Sequence, residues 1–208
     1  MEEQNLVYLL NGKIYINLTN KCTNECLFCI RTLKDDVCGS NLWLKNDTVT
    51  ADEVINQLKA LKKDEKDIIF CGYGEPTLKL DVLKEVAKFI KKEYNNVKVR
   101  LNTNGHANVV YKRNIVPELV GLIDEISVSL NACSEELYKE ITQPKLVCAN
   151  IFEEVKDFIK KSVKAGIPTV ASVVNGYKDY DIDVNECENI SQELGAKFRV
   201  RKWLERGY

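Results

Sequence analysis

The sequence holds no apolar run approaching the ~18 residues of a membrane span, and its start, Met1-Glu2-Glu3-Gln4-Asn5, is the reverse of a basic signal peptide. The chain is therefore expected in the cytoplasm, with no membrane partner. An excess of charge of one sign is also missing, since 30 Lys+Arg stand against 31 Asp+Glu for a net charge of -1. That balance gives no general basic field, so a nucleic-acid partner is disfavoured. No linker, low-complexity stretch or composition break interrupts the 208 residues. With 45% hydrophobic content they read as one domain spanning 1–208.

Cysteine is plentiful. Eight cysteines in a long, core-forming chain without a secretion signal point to a reduced compartment rather than a disulfide scaffold. Spacing sorts them. Cys22, Cys26 and Cys29 crowd together, whereas Cys38, Cys71, Cys133, Cys148 and Cys187 are scattered. The last four lie beside or within apolar elements and read as buried fillers, and Cys38 reads as an incidental thiol or a supplementary ligand.

Short apolar runs alternate with capped amphipathic helices along the whole chain. Six strands are expected, at 14–19, 68–71, 97–102, 125–131, 168–174 and 198–203. Thr50 with Glu53 forms a capping box for the first helix, and Asp81 caps the second. Pro117 opens a short third, Asn150 with Glu153 a fourth that ends at Gly166, and Asp183 with Glu186 a fifth that stops at Gly195. Strands joined by crossover helices must run parallel, so the fold class is α/β, either doubly wound or barrel-like. Alternation favours the curved form. Ser127, Ser129 and Asn131 interleave with Ile126, Val128 and Leu130, and Arg100 and Asn102 with Val99 and Leu101. Asn17, Thr19, Arg199 and Arg201 extend the pattern, which describes a polar concave face suited to a ligand.

The first strand runs into a loop carrying Cys22, Cys26 and Cys29 at its carboxyl end, where parallel α/β folds place their sites. Three thiols on one short loop suit either a zinc ion, with Cys38 as the best candidate fourth ligand, or an iron-sulfur cube that leaves one iron open.

CxxxCxxC with an aromatic before the last cysteine resembles the radical S-adenosylmethionine superfamily. Matching elements end the later strands: Gly72-Tyr73-Gly74-Glu75-Pro76-Thr77 is similar to the GGEP element, Asn102-Thr103-Asn104-Gly105 to the TNG turn, and Ser129-Leu130-Asn131 follows in order. Tyr73 stands where the first of two adjacent glycines is common. The run 15–20 before the cysteines, Ile30-Arg31 after them and the GYGEPTL string further resemble the small TatD-associated proteins of this superfamily.

The resemblance implies a (βα)6 partial TIM barrel of parallel strands. It implies a 4Fe-4S cluster on Cys22, Cys26 and Cys29, with S-adenosylmethionine chelated by the fourth iron and contacted by Phe28, Tyr73, Gly74, Glu75, Asn102, Asn104, Ser129 and Asn131. It also implies reductive cleavage of S-adenosylmethionine to a 5'-deoxyadenosyl radical that abstracts a substrate hydrogen, fed by an electron donor such as flavodoxin or ferredoxin. On this reading the glycine at 74 admits the cofactor's methionine part, Glu75 accepts from its ammonium, and Phe28 packs near its adenine.

The substrate stays open between two classes. A chain ending just after its sixth strand is expected to lack a closing domain, which favours a protein or peptide entering from the side. A small anionic metabolite held by Arg199 and Arg201, with Trp43 in a lid over 30–49, is the other class. The single histidine, His106, is expected in an exposed loop.

Overall fold

The computed structural model describes residues 4–37, 39–61, 67–178 and 180–203; Cys38 lies outside them. The chain begins with β1 (Val7–Leu10), which turns back antiparallel onto β2 (Lys13–Ile16). A two-stranded hairpin follows, β3 (Asp36–Val37) and β4 (Ser40–Asn41), and then α1 (Ala51–Ala60). Next come β5 (Asp67–Phe70), α2 (Leu80–Glu93), β6 (Lys98–Thr103), α3 (Ala107–Tyr111), β7 (Glu125–Ser129) and α4 (Glu135–Thr142). α5 (Ile151–Lys164), β8 (Thr169–Asn175), α6 (Val184–Glu193) and β9 (Lys197–Lys202) complete it.

One seven-stranded sheet runs in the order β1-β2-β5-β6-β7-β8-β9, and every neighbour pair from β2 onward is parallel. Those six strands are the six expected, and with their crossover helices they form the α/β partial barrel. The caps explain why the helices start where they do. Thr50 and Glu53 close a reciprocal capping box, and the Asn150 and Asp183 side chains accept from the backbone N–H groups of Glu153 and Glu186. The second helix differs from expectation: a 3-10 turn over Pro76–Lys79 leads directly into it, so Asp81 sits in its first turn and not at its cap. β1, the β3–β4 hairpin, α3 and α4 were not anticipated. Each is short, and α4 carried a readable signal in Ser134, which caps it ahead of Glu135 and Glu136.

The core lies between the sheet and the helices. Val99, Leu101, Ile126, Val128, Ala171 and Val173 are buried from β6, β7 and β8, with Leu83, Val86 and Ile90 from α2 and Val155, Phe158 and Ile159 from α5. Strand alternation then turns the intervening residues of the same strands toward the concave side. Among the described residues, no helix is long and apolar enough to cross a membrane.

Candidate functional site

The concave side holds a cavity of about 490 Å³. Its lining includes Cys22, Cys26 and Cys29 from the loop after β2, Tyr73, Gly74 and Glu75 after β5, and Asn102 and Asn104 at the end of β6. Ser129 and Asn131 from β7, Phe28, and the arginines Arg100, Arg199 and Arg201 complete the set the sequence singled out. Two expected members are elsewhere: Asn17 Nδ2 donates to Leu42 O at 2.7 Å, and Thr19 Oγ1 donates to Asp47 at 2.6 Å, so both face the 42–47 segment.

The cysteine loop is held from several sides. Its backbone lies against the end of α4, with Glu25 N donating to Thr142 O at 3.0 Å, Leu27 N to Ile141 O at 2.9 Å, and Lys145 N to Thr23 O at 2.8 Å. Arg31 bonds the carbonyls of Asn20, Asn24 and Tyr73 from the other side. Burial pushes the Cys22 thiol up to about 11 and the Cys26 thiol up to about 12. Thiolates there need a cation beside them, which a bound metal supplies. Among the described residues no group of three or more His, Cys, Asp or Glu side chains is disposed around one metal ion. A cube spreads its thiolates over separate irons, so three thiols lining one cavity suit it.

Glu75 joins the motifs. It is 4% exposed; its Oε1 accepts from Thr77 N, Thr77 Oγ1 and Thr103 Oγ1, and its Oε2 from Asn104 N at 2.7 Å. A carboxylate offers about four acceptor positions, two on each oxygen, so Oε2 keeps capacity for a cationic ligand. Burial raises its pKa while those hydrogen bonds act to lower it. Asn104 Nδ2 in turn donates to Thr23 Oγ1 at 2.7 Å and points at Cys22 Sγ at 3.7 Å.

The glycines of the GYGEP turn have a reason within the chain itself. A Cβ at Gly74 would stand 2.2 Å from Thr19 O and 2.5 Å from Lys21 O, and one at Gly72 would stand 2.0 Å from Asn17 Oδ1. Both therefore serve close approach of the turn to β2 and the cysteine loop, where Glu75 N donates to Lys21 O at 2.8 Å. The Tyr73 side chain points to the 30–44 segment: its hydroxyl donates to Lys34 O at 2.6 Å and its ring meets Trp43 edge-on at 5.2 Å. Trp43 Nε1 donates to Asp35, which fixes this indole over the hairpin.

His106 corrects another expectation, being fully buried. Its Nδ1 lies 2.9 Å from Thr23 Oγ1 and its Nε2 2.8 Å from the Tyr138 hydroxyl, which ties the cysteine loop to α4. Burial lowers its pKa to about 4, so the imidazole is neutral. Cys187 is buried as expected, whereas Cys71 lines the cavity, where burial raises its pKa and the Asn102 side chain acts to lower it. Asn102 Oδ1 is buried without a hydrogen-bond partner, an acceptor that a cofactor hydroxyl would satisfy. Asn131 takes a left-handed φ of 60° at the end of β7, a conformation asparagine tolerates, and Arg201 Nη2 approaches its Oδ1 at 3.5 Å and Ser129 Oγ at 3.3 Å.

The family described as the Radical SAM superfamily matches residues 16–189. A protein of Saccharolobus islandicus (strain L.S.2.15 / Lassen #1) named "Probable GTP 3',8-cyclase" is 28% identical over 182 residues, 87% of this chain and 53% of its own. This chain thus spans about half the length of that curated relative. One of the same name from Methanococcus aeolicus is 32% identical over 225 residues, covering 91% of this chain and 70% of that protein. Among solved structures, Streptococcus suis SuiB bound to its precursor peptide SuiA superposes with a TM-score of 0.67 at 16% identity, over 96% of this chain and 41% of SuiB. The cysteine loop, the strand-end motifs and the family match across most of its length agree: this chain belongs to the radical S-adenosylmethionine superfamily.

Proposed function

We propose that this chain is the core of a radical enzyme whose Cys22, Cys26 and Cys29 hold a 4Fe-4S cluster and whose cavity binds S-adenosylmethionine. When bound, the two supply an electron and a 5'-deoxyadenosyl radical that removes a hydrogen atom from substrate. The chain's own residues bind and orient. Glu75 Oε2 is free to accept from the cofactor's ammonium, Asn102 Oδ1 to accept from a ribose hydroxyl, and Ser129 and Asn131 offer polar groups at the same strand ends. Phe28, edge-on to Tyr177 at 6.2 Å, gives an aromatic face for the adenine. Tyr73, Gly74 and Asn104 act through the backbone and the hydrogen bonds that seat the motifs against the cysteine loop. Proteins of this superfamily need a reductant, and we take a flavodoxin- or ferredoxin-type donor as the partner. The single domain over 1–208 belongs to the same proposal.

The observation that carries the reading is that three thiols from one loop line one cavity with Glu75, Asn102, Ser129 and Asn131. Anaerobic reconstitution tests it. About four irons and four sulfides per chain are expected, lost in the Cys22/Cys26/Cys29→Ala variant. Stoichiometric zinc without iron overturns it.

A further inference from the structure

Two guanidinium groups reach deeper into the cavity than Ser129 and Asn131: Arg199 comes to the level of Ser127, in register with Asn102, and Arg100 starts two residues below Asn102. The parallel strands place their carboxyl ends on the side of the cysteine loop, and Ser129 and Asn131 stand at that level. Arg199 of β9 is in register with Ser172 of β8 and Ser129 of β7, yet its side chain reaches back across β8 to donate from Nη2 to Ser127 Oγ at 2.8 Å. The crossing is possible because Ser172 between them is small. Ser127 precedes Ser129 by two residues, about 7 Å along a strand. Arg100 on β6 pairs in register with Glu125, two residues deeper again. β6 and β9 are three strand spacings apart, about 14 Å on a flat sheet and less across a curved one, so the two long side chains address one space from facing walls.

These charges are incompletely answered by the protein. Arg199 meets a neutral hydroxyl, and among the described residues no carboxylate pairs with it. Glu125 stands 3.9 Å from Arg100 Nη1 while binding Lys98 at 2.6 Å. The Nε atoms of Arg100 and Arg199 are both buried without a hydrogen-bond partner. Fixed, partly desolvated guanidinium forks with spare donors suit a planar or tetrahedral oxyanion.

We propose that Arg100 and Arg199, with Ser127, form an oxyanion subsite that takes the phosphate or carboxylate group of a small substrate beneath the cofactor. The inference rests on the cofactor reading, because it assigns this end of the cavity to substrate. Arg201, bonded at the level of Ser129 and Asn131, stays outside it.

The test uses the full chain, anaerobically reconstituted, with inorganic pyrophosphate, inorganic phosphate and succinate as calorimetric probes, and S-adenosylmethionine affinity and iron content measured in parallel. Wild type is expected to bind one oxyanion per chain, and R199Q and R100Q to weaken it at least tenfold each. R199K should recover part of the loss, while iron content and S-adenosylmethionine affinity change less than twofold. Tighter pyrophosphate than succinate assigns a phosphorylated substrate and the reverse a dicarboxylate; either supports the subsite. A wild type that loads iron and S-adenosylmethionine but binds none of the probes overturns it, as does unchanged oxyanion affinity in both variants. A parallel fall of S-adenosylmethionine affinity in R199Q overturns it too, by moving the arginine to the cofactor. Failure of wild type to load iron or S-adenosylmethionine instead sinks the cofactor reading, and the probes, titrated without S-adenosylmethionine, still report on the arginines.

Discussion

Glu75 and Arg199 line the same cavity, yet the protein treats the two charges in opposite ways. The carboxylate of Glu75 is enclosed by four donors from Thr77, Thr103 and Asn104, all within 3.1 Å. The guanidinium of Arg199 donates one hydrogen bond to a serine and has a buried Nε without a partner. The difference teaches where stability ends and binding begins. A buried charge held by several hydrogen bonds locks its neighbours in place, whereas one met by a single bond keeps most of its donors for a ligand. The Glu75 turn seated against the cysteine loop is a wall of the first kind, and the arginines that β6 and β9 send into the cavity are of the second.

Breaking the closed wall should cost most at Gly74. In Gly74→Ala the new Cβ meets backbone oxygens of Thr19 and Lys21, which cannot rotate away. A loss above about 3 kcal/mol is expected, the upper end for overpacking, with iron no longer retained after desalting. Gly72→Ala meets the Asn17 side chain from Oδ1 down to Cβ, which can yield only by giving up its bond to Leu42 O, and should cost less than the backbone clash at Gly74; equal midpoints in urea for the two variants would refute the ordering.

Next comes Glu75→Ala, which strands the Thr77, Thr103 and Asn104 donors in a buried site. The expected cost is about 2–3 kcal/mol, together with weakened S-adenosylmethionine binding and nearly unchanged iron in the fraction that folds. Glu75→Gln keeps the shape and should lose cofactor affinity with about half that destabilisation. A Glu75→Ala chain as stable as wild type would show that the enclosure contributes little.

His106 gives the closed wall a pH dependence. Its folded pKa, about 4, lies below the ordinary 6.5, so the unfolded chain binds the extra proton first as pH falls. The stability contributed by the neutral imidazole is complete above about 6.5 and is lost progressively toward 4, to a limit of about 3 kcal/mol. Urea midpoints measured between these values should fall more steeply for wild type than for His106→Gln. Parallel slopes would place the titration elsewhere.

The smallest effect sharpens the other side of the comparison. Arg199→Gln removes a charge the protein pairs only with a hydroxyl, so stability should change by less than about 1 kcal/mol. A loss above about 2 kcal/mol would mean that the arginine holds the β7–β9 wall together.

Much of the site was legible because its signals are local. Three cysteines at CxxxCxxC spacing fall on one loop whatever surrounds them, and Thr50 with Glu53 or Asn150 with Glu153 closes a cap within one helical turn. The alternation in β6 and β7 sends Arg100, Asn102, Ser127 and Ser129 to one face because a strand repeats every two residues. Asn17 and Thr19 obey the same period but miss the cavity, because the segment at 42–47 packs against them and takes their hydrogen bonds. β1 and α4 were missed since a four-residue strand and an eight-residue helix carry little periodicity.

The sequence by itself determined the parallel α/β order, the starts of α1, α5 and α6, the cysteine loop and the polar strand face, since each depends on residues a few positions apart. Only the tertiary structure decided that His106 is buried between Thr23 and Tyr138, that Gly72 and Gly74 answer to β2 and the cysteine loop, and that Arg199 crosses β8 to Ser127. Those outcomes join residues 83 and 32 positions apart at His106, 72 at Arg199 and about 55 at the glycines. Which partner stands opposite a side chain is fixed by strand order, register and the size of the residue between, none of which a linear spacing contains.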